Sequence, residues 1–178
     1  ISKKNSQTKI IIDGKKELLP KNIEISSDLS SSAFFIVAAL INKNSKITLK
    51  NININPTRNG ILLALNKMGA KIKLTNKKYI NNEEVADIFV ESSNLNGCEL
   101  DEEIAKLMID EYPILSIAAA CADSPSLFKG LSELRVKESD RLKLIKNNLL
   151  KCGCYCEING NDLFINPLKK TEMNIKKI

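Results

Sequence analysis

Histidine and tryptophan are missing from this sequence, and only three of its 27 basic residues are arginine. Without histidine the five cysteines lack a common co-ligand for zinc, and "KCGCYCEI" (151–158) reads as packed small apolar side chains. Cys154, Cys156 and Ile158 alternate there as one face of a strand does. Five Phe and three Tyr supply no stacking platform, and the basic residues are scattered along the chain. Nucleic acid is therefore not an expected partner, despite a formal charge of +6. No run approaches the roughly 20 apolar residues that span a bilayer, so no membrane partner is expected. "ISKKNSQTKIII" has no signal-peptide h-region with a cleavage site. An odd cysteine count without a secretion signal predicts reduced thiols and a cytoplasmic location. The chain begins at Ile1 rather than Met, as a fragment or a processed chain would.

What is present is enough for one domain with a real core or two small subdomains. The 178 residues are 43% hydrophobic and 27% charged, the balance of a soluble globular chain. Two stretches share an order of events. "IVAALI" (36–41) precedes "SIAAAC" (116–121) by 80 residues, and "NKMGAKIKL" (66–74) precedes "LKCGCYCEI" (150–158) by 84. Each copy has an apolar helix, a short strand, an amphipathic helix, a glycine stop and another strand. This predicts duplicated βαβαββ units in an α+β fold, with buried apolar helices walled by small sheets and outer amphipathic helices. The expected divisions are an N-terminal strand and turn segment (1–23, including "KIIIDGKKELLP"), a first unit (24–93) and a second unit (94–178).

Strands fit "KITLKNI", "AKIKLT", "DIFVES", "SLFKGL", "CYCEI" and "DLFIN", with "NGND" (159–162) as a hairpin turn. "TNKKYINNEE" (75–84) reads as a polar loop. Asn55 and Pro56 read as the N-cap and first turn of one outer helix, which Gly69 stops. Leu142, Ile145 and Leu149 form the stripe of the other, which Gly153 stops.

Two of the three arginines fall in "ELRVKESDRLKLI" (133–145), which holds six charged side chains in its first nine positions. An arginine fork matches carboxylate and phosphate in a way that lysine does not. The bland reading is a solvated face with capping acids; the sharp one is a site for an anionic substrate. Lys137 and Arg141 are four apart, which puts them on one face if the segment is helical.

"ELRVKESDRL", preceded by "MIDEYPILSIAAACA" and "SSDLSSSAFFIVAALI", resembles the EPSP synthase family, 3-phosphoshikimate 1-carboxyvinyltransferase. The resemblance covers essentially the whole chain and implies two of the six βαβαββ units of a two-domain enolpyruvate transferase. It implies transfer of the enolpyruvyl group of phosphoenolpyruvate to the 5-hydroxyl of shikimate 3-phosphate, with release of phosphate and no metal or organic cofactor. It further implies that Asp110 faces the shikimate hydroxyl as a proton acceptor, where the residues alone allow a helix N-cap. Lys137 is implied as a substrate contact able to stabilise charge or move a proton. Glu138 is implied as the acid that moves a proton at the methylene carbon, and Arg141 as a phosphoenolpyruvate ligand. Glu111 reads as a weaker candidate beside Asp110 or as an exposed neighbour, and Ser30, Ser31 and Ser32 as capping residues or substrate contacts. Arg135 and Asp140 orient this shell or pair structurally, and Glu133 has no assigned role. The family's "DHRMA"-type segment, its final lysine and its opposite domain are not found, so the rest of the enzyme is an expected partner and isolated activity is not expected. The alternatives are a UDP-sugar enolpyruvyl transferase, an RNA 3′-terminal phosphate cyclase, which needs a histidine absent here, and a non-catalytic binding module.

Overall fold

The chain opens with a two-stranded antiparallel ribbon, β1 (Ser2–Lys4) and β2 (Gln7–Lys9), and then runs to residue 26 without regular structure. The computed structural model describes residues 2–4 and 7–168. Ile10, Ile11 and Ile12 were expected to form a strand, but they lie exposed with no strand partner among the described residues.

Asp28 starts the first buried helix, α1 (Leu29–Ile41), by accepting from the Ser31 N–H and hydroxyl, both at 2.7 Å. Next come β3 (Lys46–Asn53), α2 (Gly60–Lys67), β4 (Lys71–Ile80) and β5 (Glu83–Glu91). These strands form an antiparallel sheet in the order β3-β5-β4. The second half follows as β6 (Glu99–Leu100), α3 (Glu102–Ala105), a 3₁₀ turn (Ile109–Glu111) and α4 (Tyr112–Ala120). It continues through β7 (Ser126–Phe128), a second 3₁₀ turn (Ser132–Arg135), α5 (Arg141–Lys151), β8 (Cys156–Asn159) and β9 (Asp162–Ile165). Its sheet order is β6-β7-β9-β8. Dropping β6 leaves the same order as the first sheet, first strand, third, second. β6 pairs in parallel with β7, and its counterpart in the first half is reduced to one parallel bridge from Ser27 to Ile52. The duplicated element order expected from the sequence is therefore present in the topology.

One hydrophobic core runs through both halves, with Ile36, Val37 and Leu40 of α1 beside Leu115, Ala118 and Ala119 of α4. Ser30 near the start of α1 donates to Glu111 just before α4, so the two N-termini adjoin. The far ends of both helices line a depression of about 550 Å³ that includes Leu40, Ile41, Cys121 and Asp123. The two apolar helices thus run parallel. They are not enclosed on every side: Phe34 is 57% and Phe35 63% exposed.

Two local expectations change. "TNKKYINNEE" is a hairpin arm, not a loop, because Asn81 and Asn82 both take the left-handed φ of a tight turn and continue β4 into β5. A bulge between Thr75 and Lys78, with Asn76 at φ 51°, breaks the alternation that would have marked a strand. The outer helix α2 starts at Gly60 rather than near Asn55, because the Asn55 side chain accepts from the Thr57 N–H and hydroxyl and closes a turn ahead of the helix. Gly69, Gly153 and Gly160 all have positive φ, which explains the two helix stops and the "NGND" turn. Cys154 and Cys156 are buried and all five cysteines are free thiols. No helix among the described residues is long and apolar enough to cross a membrane.

Candidate active site

Asp110 sits on the 3₁₀ turn that leads into α4, and that turn leans on the start of α2. The Gly60 N–H donates to the Leu107 carbonyl at 3.3 Å, and a Cβ on Gly60 would stand 2.7 Å from Met108 Cγ. Only glycine allows the segment to approach so closely. Asp110 does not cap the helix; its carboxylate faces the charged segment of the second unit. Arg141 Nη1 donates to Asp110 Oδ1 at 2.9 Å, and Lys137 Nζ stands 3.7 Å from the same oxygen. Arg141 Nη2 donates to Glu138 Oε2 at 2.6 Å. Lys137 Nζ is 3.0 Å from Glu133 Oε1. The four residues expected at the site, Asp110, Lys137, Glu138 and Arg141, therefore converge, although Asp110 lies 31 residues from Arg141 in sequence.

They do not converge by sharing a helix face. The helix α5 begins at Arg141, and residues 136–139 are a bent connection without regular structure. The i, i+4 argument for Lys137 and Arg141 fails, and a shared contact with Asp110 joins them instead. Asp140 explains the late start: its side chain accepts from the Lys143 N–H at 2.9 Å as the N-cap.

The charges tune one another. The hydrogen bond to Glu133 raises the proton affinity of Lys137, with Asp110 adding to it, so the ammonium is charged at neutral pH. Arg141 is raised by Glu138 first and then by Asp110. Glu138 is held below the ordinary carboxyl range by its own backbone N–H and then by Arg141. The result is a partly exposed cluster of two cations and three carboxylates in which the cations already hold oxygen anions. Such a cluster can take a phosphate or carboxylate ligand by exchange.

Three further residues join this edge. Glu111, expected to be exposed, is only 4% exposed and accepts from the Ser30 hydroxyl. Arg58, the third arginine, donates to Ser30 Oγ at 3.2 Å and lines with Asp110 a depression of about 70 Å³. The scarcity that singles out Arg135 and Arg141 applies equally to Arg58. Glu133 is the partner of Lys137, a pairing that their spacing of four residues could have suggested. Among the described residues, no group of His, Cys, Asp and Glu is arranged to hold a metal.

Parallel apolar helices, repeated sheets of one strand order and an anion-exchange cluster beside a helix start define a βαβαββ domain of the enolpyruvate transferase type. The sequence profile of the EPSP synthase (3-phosphoshikimate 1-carboxyvinyltransferase) family matches residues 1–177, and the chain belongs to that family. A 3-phosphoshikimate 1-carboxyvinyltransferase from Petrotoga mobilis is 50% identical over 82% of this chain and 34% of its own length. One from Crocosphaera subtropica is 42% identical over 96% of this chain and 39% of its own length. The solved structure of EPSP synthase from Acinetobacter baumannii superposes with a TM-score of 0.82 at 38% identity, over 88% of this chain and 35% of that one. The chain spans about a third of the length of the relatives it matches.

Proposed function

We propose that this chain is the part of an EPSP synthase that carries the acid–cation cluster for enolpyruvyl transfer from phosphoenolpyruvate to the 5-hydroxyl of shikimate 3-phosphate. On this reading residues 24–93 and 94–178 are two units of one domain, and the remainder of the enzyme supplies the opposite wall. The convergence of Asp110, Lys137, Glu138 and Arg141 carries the reading. Asp110 takes the proton of the 5-hydroxyl as that oxygen bonds to C2 of phosphoenolpyruvate, while Glu138 delivers a proton to the methylene carbon. In the second step Glu138 removes a proton from the resulting methyl group as the C–O bond to phosphate breaks, and the proton held by Asp110 passes to the leaving oxygen, which departs as inorganic phosphate. Arg141 grips phosphoenolpyruvate with its fork, and the charged Lys137 balances the substrate anion.

The free site supports this division of labour. Glu138 is ionised there, and Arg141 is one of the groups that keeps it so. An anion that draws Arg141 away removes that restraint and raises the proton affinity of Glu138, as a proton donor requires. The test is phosphate release by the full-length enzyme that contains this chain. Release that needs both substrates, and that falls sharply in Asp110→Asn, is expected. A full-length enzyme that releases no phosphate with both substrates present would overturn the reading.

A further inference from the structure

Lys137 and Glu138 sit on a connection that is exposed at Val136, Glu138 and Ser139. Residues 136–139 form no regular element, and Val136 is 79% exposed, so burial does not hold the loop. Its neck is closed instead by one side chain. Arg135 Nη1 meets Asp140 Oδ2 at 3.4 Å across the base of the loop. Its Nε donates to Asn161 Oδ1 at 3.0 Å, and its Nη2 donates to the Gly160 carbonyl. All three guanidinium nitrogens are thus committed, two of them to the β8–β9 turn. Two further bonds tie that turn to the segment between β7 and the second 3₁₀ turn: Leu131 N–H to the Asn161 carbonyl, and Gly130 N–H to Asp162 Oδ1, both at 2.9 Å. Asp140 uses its other oxygen to cap α5, whose first residue is Arg141.

We propose that Arg135, with Asp140 and Asn161, is a positioning residue: it clasps the loop so that Lys137, Glu138 and Arg141 stand together against Asp110. The inference rests on the function proposed above. A planar fork with three separately directed nitrogens is needed for the clasp, and lysine can replace only the ion pair to Asp140. Displacing catalytic groups by about 1 Å can cost about 100-fold in rate.

The full-length enzyme should be compared as wild type, Arg135→Gln, Arg135→Lys and Asn161→Ala, assayed well below the melting temperature of each. Arg135→Gln is expected to lose about 10- to 100-fold in kcat, with KM for shikimate 3-phosphate changed by less than threefold. Arg135→Lys should recover part of that loss. Asn161→Ala removes one exposed contact and keeps the fold, and it should lower kcat by a smaller factor. A purely structural role would lower the melting temperature and leave kcat of the folded enzyme within twofold, and that result overturns the proposal. So would an unchanged kcat in Asn161→Ala if Arg135→Gln fails to fold. An inactive wild type would instead count against the proposed function, so the two failures are distinguishable.

Discussion

The two outer helices begin at equivalent places in the repeated topology, after β3 in the first unit and after β7 in the second, yet their approaches differ. The first approach is short, closed by the Asn55 turn, and ends at Asn59, whose side chain makes no cap bond and whose buried Oδ1 has no partner among the described residues. The second is longer, clasped by Arg135, capped by Asp140, and loaded with Lys137 and Glu138. The scaffold is the same, and the lengthened connection carries Lys137 and Glu138 of the proposed site. This matches the general tendency of functional groups to sit on loops that a rigid framework positions. The first unit contributes to the same edge only from the side, through Arg58 and Ser30.

The comparison breaks most visibly if the loaded connection is chemically silenced. In the full-length enzyme Asp110→Asn and Glu138→Gln are each expected to lower turnover about 10²- to 10⁴-fold, with much smaller changes in substrate binding. Steady-state kinetics with both substrates varied would measure this, and near-normal turnover in either variant removes its role. Arg141→Lys exchanges a fork for a point charge. It should weaken phosphoenolpyruvate binding by about 1.5–3 kcal/mol, roughly tenfold or more, in a calorimetric titration.

Smaller effects sharpen the contrast between the two units. Gly60→Ala pushes a methyl into Met108 and the Leu107 backbone, so urea unfolding should show a loss of about 1–3 kcal/mol. Asp140→Ala should cost about 1 kcal/mol as a lost cap, while Asn59→Ala at the equivalent helix start should stay within about 0.5 kcal/mol. Equal costs would mean that the two starts are not different after all. The finest test is titration. Glu138 should protonate below the ordinary value of 4.5, because its own N–H and Arg141 favour the ionised form. A carboxyl depressed in the folded state stabilises the fold above its unfolded value, and that contribution fades as pH falls through the folded one. Carboxyl carbon NMR should place the transition in that acid window, and removing the Arg141 charge should move it upward. An unmoved transition would show that the pair does not form in solution.

Much of the framework was legible because its signals are local. Gly69, Gly153 and Gly160 mark their turns through φ, and Leu142, Ile145 and Leu149 mark the buried face of α5 by spacing alone. The β4–β5 arm was missed because its residues are polar on both faces and a bulge interrupts their period. For the proposed site, the rarity of arginine pointed to Arg135 and Arg141, and the family motif to Asp110, Lys137, Glu138 and Arg141.

Sequence alone determined which side chains carry the charge, and that two helices are apolar enough to be buried. The tertiary structure decided who meets whom. Lys137 could have paired along a helix, but the Asp140 cap and the Arg135 clasp keep residues 136–139 out of one, so Lys137 turns to Glu133 and Asp110. Glu111 could have faced solvent, but packing α1 beside α4 buries it against a serine 81 residues away. Pairing of this kind depends on distances that only the closed core sets, and a charged side chain takes its partner from whatever that packing brings within reach.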